Sequence, residues 1–408
     1  MVDKLAVWLY GDRVACIERD RRGPRLTYTE TALRHYPLGT PLLALSLPVQ
    51  TRAYPQGVVR AFLDGLLPEG EPRRVVAREV GVAASDTLGL IRALGQDCAG
   101  AVVIQAEGDS PPQLPTTATA EPLGTEEIES IVRNLRNAPL GAGGRVRVSL
   151  AGVQEKLVLT RMPDGGWGRP IDGTPSTHIL KPEIPAYPMT VENEAFCMRV
   201  AKHLDLPVAG VETTVISNRK LLVVERYDRE VAPDGTEQRI HQEDFCQATG
   251  IPPETKYEAD GGPSLSRIAG ILATVAAPDS LGRLLAAVVF NSLVGNGDAH
   301  AKNFSLIHGR TGGLRLSPLY DLLSTLHYGD DHLAMYVDGV HRTSGVTRDR
   351  ILREATKWGM SAAAAADVIG DLLSRAGGAI TAARDEVPEV PDALVTTITE
   401  QLKRVAGA

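Results

Sequence analysis

The chain has 408 residues, 43% of them hydrophobic and 23% charged, with a formal net charge of −7 and a pI near 5.8. That composition sets aside disordered and fibrous proteins and predicts two or three globular units. The acidic balance argues against direct, non-specific binding of duplex DNA, which needs a basic surface; the short cluster Arg73, Arg74, Arg78 reads as a solvated helix face.

The four cysteines, Cys16, Cys98, Cys197 and Cys246, lie far apart and form no Cys-x-x-Cys pair, so neither a disulfide framework nor a zinc site is expected. The N-terminus carries charges early and lacks a long apolar core, which predicts a first strand and not a signal peptide. No stretch approaches the roughly 18 apolar residues of a membrane span. A reducing cytoplasm is the expected compartment.

Residues 4–18 alternate as strands do around a turn at Gly11-Asp12, and strand-like segments continue to about residue 48. Helices are predicted over 57–68, 70–81 and 86–94, and a strand from Ala99 closes a small α+β unit at residue 106. Residues 107–124, rich in Pro, Thr, Ser and Gly, read as a linker. A helix starts at Thr125, with Glu126 and Glu127 in the first turn, where negative charge suits the helix dipole. After a Gly-rich turn at 140–145, strands are expected near 146–150, 155–160, 177–181, 211–216 and 220–226. A helix over 191–204 interrupts them, its apolar residues keeping the helical period. Past residue 240 helices dominate, near 279–294, 347–357, 361–376 and 391–405. The expected plan is an N-terminal domain 1–106, a linker 107–124, a strand-rich lobe 125–240 and a helical lobe 241–408, with a cleft between the lobes.

The most informative stretch is 290–325. An apolar helix ends at Val294, and a polar loop follows with Asn296, Asp298, His300, Lys302 and Asn303. A strand, a turn at His308–Gly313 and a second strand then deliver Asp321. Phosphoryl transfer needs a carboxylate to orient and deprotonate a hydroxyl, oxygen ligands for Mg²⁺, and a cation to spread charge. Asp298 and Asn303 have the Asp-to-Asn spacing of a kinase catalytic loop, and Asp321 follows a hairpin as the second kinase acid does. Asn303 and Asp321 can then reach one magnesium ion. Taken singly, each is an ordinary turn or cap residue. His300 has no second histidine nearby except His308, a weak basis for a metal site, and reads as loop support or a phosphate contact.

Upstream elements give these residues their context. Lys181 ends a strand, a common place for a phosphate-clamping lysine, and either Glu192 or Glu194 in the next helix is placed to pair with it. Residues 147–159 read as strand, turn, strand, with Gly152, Gln154 and Lys156 in a turn able to lay N–H groups on phosphates, although the turn is not G-x-G-x-x-G. The apolar strand at 221–224 runs into Glu225, Arg226 and Tyr227, where a kinase hinge would fall. The expected fold class is α+β, with a two-lobed protein-kinase-like core behind a small α+β N-terminal domain.

The segments LAGVQEK, HILKPE, ENE, VERYDR, HQEDFCQATG, NGDAHAKNFS and SPLYDLLST, in that order, resemble the HipA family of serine/threonine kinase toxins over nearly the whole chain. The resemblance implies that Asp298 is the catalytic base and that Asn303 and Asp321 hold Mg²⁺. It implies an ATP site from Ala151, Gly152, Val153, Gln154, Glu155 and Lys156 over the phosphates, Lys181, the hinge residues Glu225, Arg226 and Tyr227, and His300, Lys302, Asn303, Tyr320 and Asp321. Ser149 matches the position that the family autophosphorylates, where a phosphate of roughly −2 charge forces the loop out. The family's target is an aminoacyl-tRNA synthetase, the glutamyl enzyme in the best-known member, and its partner is a HipB-like helix-turn-helix antitoxin through which DNA is reached. Val153 and Tyr227 vary on common family choices, and Asp321 is followed by Leu-Leu and not by the Phe-Gly of eukaryotic kinases. The alternatives are a catalytically weak nucleotide-binding co-repressor acting only with an antitoxin, and a lipid or small-molecule kinase on a related fold, which the lack of a basic membrane-facing patch disfavours.

Overall fold

The alternating N-terminal run pairs as its period demands. In the computed structural model, strands Lys4–Leu9, Asp12–Asp20 and Gly23–Tyr28 form an antiparallel meander, and Val102–Ala106 pairs with the free edge of the first. Leu5, Val7, Ile17 and Leu26 share one buried core with Phe62, Leu63 and Leu66 of helix Gln56–Leu66. The structure describes residues 4–112, 120–137, 149–152, 154–171, 173–231, 236–309 and 313–407. The chain folds as two compact units, one of 1–182, 215–219 and 223–254, the other of 183–214, 220–222 and 255–408.

In the first unit the strands stop earlier than expected. Thr29 caps a short helix, Glu30–His35, its hydroxyl accepting the Ala32 N–H at 3.1 Å. Pro37, Pro41, Pro48 and Pro55 then deny the chain the regular donors of a strand. Helices Gly70–Glu79 and Thr87–Leu94 follow as predicted. The end of the expected linker is itself a strand, Glu121–Leu123, paired with Trp167–Arg169. Strand Leu157–Arg161 lies between Trp167–Arg169 and His178–Pro182. No strand forms at Ser149 and Leu150, and the rest of the strand expected there, with the Gly-rich turn, lies outside the described residues. Strands Val211–Ile216 and Arg219–Glu225 form where predicted, their residues divided between the two units.

The second unit is mainly helical. Helix Ser280–Val294 is apolar on nearly all sides, with Leu284, Leu285, Val288, Val289, Phe290 and Leu293 all buried, as a central helix must be. Of helices Thr190–His203, Ala362–Glu386 and Asp392–Ala406, the last two pack on it and on each other, and the first packs on the second. The second of these runs ten residues beyond its expected end, through Gly377 and Gly378, because Ala379, Ile380 and Ala383 bury on the same face. Helix Leu265–Val275 and the hairpin of His332–Val337 with Val340–Arg342 were not anticipated. Among the described residues, no helix is long and apolar enough to cross a membrane.

Candidate active site

Asp298, His300, Lys302, Asn303, Tyr320 and Asp321 lie in the second unit. Helix Ser280–Val294 ends where Gly295 takes φ +68°, a turn that side chains with a Cβ resist. The loop beyond is held by side chains. Asn296 Nδ2 donates to Asn291 Oδ1 at 2.9 Å, Asp298 N–H donates to Asn296 Oδ1 at 3.2 Å, and Gly297 N–H donates to Thr325 Oγ1 at 2.8 Å. The Asp298 carbonyl accepts both the His300 N–H at 2.8 Å and Asn303 Nδ2 at 3.0 Å, so acid and amide share one tight turn.

The hairpin of Ser305–His308 with Leu314–Leu316 sets Leu306 opposite Leu316 and sends the chain back. The Tyr320 hydroxyl donates to the Lys302 carbonyl at 2.6 Å and lies 2.7 Å from Ser305 Oγ. The residue before Asp321 is thus bonded to the residue before Asn303, and Asp321 lies near enough for its charge to act on Asp298. Asp321 takes φ +58°, a left-handed conformation uncommon for a residue with a side chain.

Burial pushes the Asp298 carboxyl up to about 6, with the negative charges of Asp321 and Asp330 adding to it, against the opposing Tyr257 hydroxyl and Lys256. The Tyr257 hydroxyl donates to Asp298 Oδ1 at 2.8 Å. His300 is buried, its ring edge-on to Tyr257 at 5.3 Å, which suits loop support; Lys302 and Lys256 are buried as well. Tyr257 and Lys256 escaped the sequence reading. Their signal was a charged and aromatic pair beside Gly261-Gly262, too generic to link to a loop 41 residues on.

In the first unit, Ser149 is fully buried, its Oγ donating to the Leu66 carbonyl at 2.6 Å and its N–H to the Asp97 carbonyl at 2.9 Å. Gly152 takes φ +113° and its carbonyl accepts the Glu69 N–H at 3.1 Å. Lys156 Nζ donates to the Ala151 carbonyl, and Gln154 Nε2 to the Pro182 carbonyl at 3.2 Å. Val153 lies outside the described residues, while Glu155 and Lys181 are half-buried. Glu225 is exposed at its strand end, and the Tyr227 hydroxyl donates to Gln242 Oε1.

Arg226 departs from its expected setting. Its guanidinium is buried, bonded to Asp228 at 2.9 Å, Ser176 Oγ at 2.7 Å and the Cys98 carbonyl at 2.9 Å. Its N–H donates to the Thr177 carbonyl at 2.9 Å, so the residue serves the interior of the first unit. Of the two acids considered for Lys181, Glu192 is held by Lys220, which also reaches Glu389.

An acid and an amide in one turn, with a second acid returned by a hairpin, define a protein-kinase-like domain. Comparison narrows the class. Residues 148–380 match the HipA-like C-terminal domain, and residues 5–105 match the HipA N-terminal domain. A protein of Sinorhizobium fredii provisionally named kinase Y4mE is 42% identical over 332 residues, 80% of this chain and 78% of that one. The serine/threonine-protein kinase toxin HipA of Shewanella oneidensis is 36% identical over 299 residues, 69% of this chain and 66% of that one. A solved structure of the Shewanella oneidensis toxin–antitoxin system, HipA and HipB with operator DNA, superposes at a TM-score of 0.83 and 26% identity, covering 99% of this chain and 96% of that one. The chain belongs to the HipA family.

Proposed function

We propose that this protein is a serine/threonine protein kinase that uses ATP and magnesium to phosphorylate a protein hydroxyl and its own Ser149. The observation that carries the reading is the turn at Asp298, whose main-chain carbonyl accepts Asn303 Nδ2 at 3.0 Å, with burial pushing its carboxyl up to about 6. A carboxylate near that value is ionised at neutral pH yet basic enough to take the proton of an attacking hydroxyl. The hydroxyl oxygen bonds to the γ-phosphorus, ADP leaves, and the proton passes to Asp298.

The residues present fit magnesium. Asn303 commits Nδ2 to the Asp298 carbonyl, so its amide oxygen and the Asp321 carboxylate are the proposed ligand atoms. Among the described residues no three His, Cys, Asp or Glu gather as a metal cage, and magnesium needs none, because it keeps waters and takes few protein oxygens. The ion, when bound, would neutralise phosphate charge. The remaining nucleotide contacts are assigned to Ala151–Lys156, Lys181, the Glu225–Tyr227 backbone, His300, Lys302 and Tyr320.

The homologous complex with HipB and operator DNA supports a HipB-like helix-turn-helix antitoxin as partner, with DNA reached through it. An aminoacyl-tRNA synthetase is the proposed substrate and the cytoplasm the proposed compartment. The test is incubation of dephosphorylated protein with Mg–ATP and mass spectrometry of Ser149. Wild type becomes phosphorylated and Asp298→Asn does not; an unmodified wild type overturns the reading in favour of a nucleotide-binding co-repressor.

A further inference from the structure

Tyr257 belongs to none of the motifs that the kinase reading uses. It sits between the helical turn Pro253–Thr255 and helix Leu265–Val275. Its hydroxyl donates to the Asp298 carboxylate, at Oδ1, over 2.8 Å. The ring is constrained on two sides. The His300 imidazole meets it edge-on, with centroids 5.3 Å apart and planes at 80°, and Lys256 Nζ lies 5.7 Å from its centroid.

The loop that carries Tyr257 is closed on itself. The Gly262 N–H donates to the Tyr257 carbonyl at 2.9 Å, and a Cβ at Gly262 would strike the Thr255 carbonyl oxygen. The next residue, Glu258, accepts the Tyr336 N–H at 2.7 Å. The phenol therefore reaches the carboxylate from a braced backbone.

A carboxylate base has two oxygens and a soft torsion, and a base a little out of line loses much of its rate. A donor fixed on one oxygen sets the plane of the group and leaves the other oxygen to take the proton. We propose that Tyr257 is a positioning residue for the catalytic base, its phenol pinning Oδ1 of Asp298 so that Oδ2 faces the substrate hydroxyl. The proposal rests on the kinase reading above.

Tyr257→Phe removes the hydroxyl and keeps the ring. Expected are a fall of about 10–100-fold in the transfer rate at saturating Mg–ATP and an unchanged KM for ATP. In the nucleotide-free protein the same change lowers Tm by about 2–4 °C, and by nothing in an Asp298→Ala background, where the acceptor is gone. Equal Tm shifts in both backgrounds overturn the pairing, and an undiminished rate overturns the positioning role. The Tm cycle needs no turnover, so a wild type that transfers no phosphoryl group defeats the kinase reading while the cycle still judges the pair.

Discussion

Asn193 and Ser324 are joined through both ends of one amide. Asn193 Nδ2 donates to the Ser324 carbonyl at 3.0 Å and the Ser324 N–H donates to Asn193 Oδ1 at 2.8 Å, with both residues fully buried. The pair ties helix Thr190–His203 to the segment that follows Asp321. Asn193→Ala strands a buried donor and a buried acceptor. It should cost about 2–4 kcal/mol in urea unfolding, and the variant that remains folded should transfer phosphate more slowly.

Gly297 admits no side chain. A Cβ there would strike the His332 carbonyl oxygen and come within 2.8 Å of Thr325 Oγ1, while the Gly297 carbonyl already accepts the Ala334 N–H at 2.7 Å. The obstacle is backbone and cannot turn aside. Gly297→Ala should displace the turn carrying Asp298 and lower the transfer rate by about 100-fold, with a lower Tm; a rate equal to wild type would show that the turn does not set the chemistry.

Asp298 trades stability for basicity. Its folded value of about 6 lies above its ordinary 3.8, so the folded state binds the proton more tightly than the unfolded one. Ionisation then costs stability, fully above pH 6 and not at all below about 4. Asp298→Asn should therefore raise stability at neutral pH by about 1–3 kcal/mol, and the gain should fade as the pH is lowered toward 4. The wild-type transfer rate should fall over the same interval, as the base is protonated. Unfolding curves of both proteins at several pH values, beside a pH–rate profile, check the two outcomes together.

A buried ion cluster in the first unit should fail in the opposite sense. Asp97 and Asp228 face Arg226, Arg229 and Arg239, with Asp97 Oδ1 at 2.8 Å from Arg229 and Asp228 Oδ2 at 2.9 Å from Arg226. Burial pushes Asp97 up, but the three arginines together bring it down to about 2, and Arg226 and Arg229 hold Asp228 lower still. Depressed carboxyls contribute stability above about pH 4, and that contribution is lost as the pH falls toward 2. Asp97→Ala should cost about 3–5 kcal/mol at neutral pH, because it leaves buried guanidinium charge uncompensated. Urea midpoints of wild type and variant should converge in acid; a constant gap down to pH 2 would count against the cluster.

The readable part of the site was local. The five-residue step from Asp298 to Asn303, the apolar run ending at Gly295 and the hairpin before Asp321 are contiguous, and the structure gathers all three residues. Local pattern also misled. Strand-like composition after Tyr28 became a short helix and an irregular stretch rich in proline, and Gly377-Gly378 did not end their helix, because burial of Ala379, Ile380 and Ala383 outweighs the cost of two glycines.

By itself the sequence determined the mixed α+β class and most of the helices and strands, and it singled out an acid, an amide and a second acid, since these rest on turn chemistry and periodicity within a few residues. Only the tertiary structure decided which groups surround them. Tyr257 on Asp298, Asn193 on Ser324 and Arg226 turned into the Asp97 cluster join residues 41, 131 and 129 positions apart. Such partners are selected by packing and desolvation, which depend on what the folded chain brings together and leave no periodic trace along it.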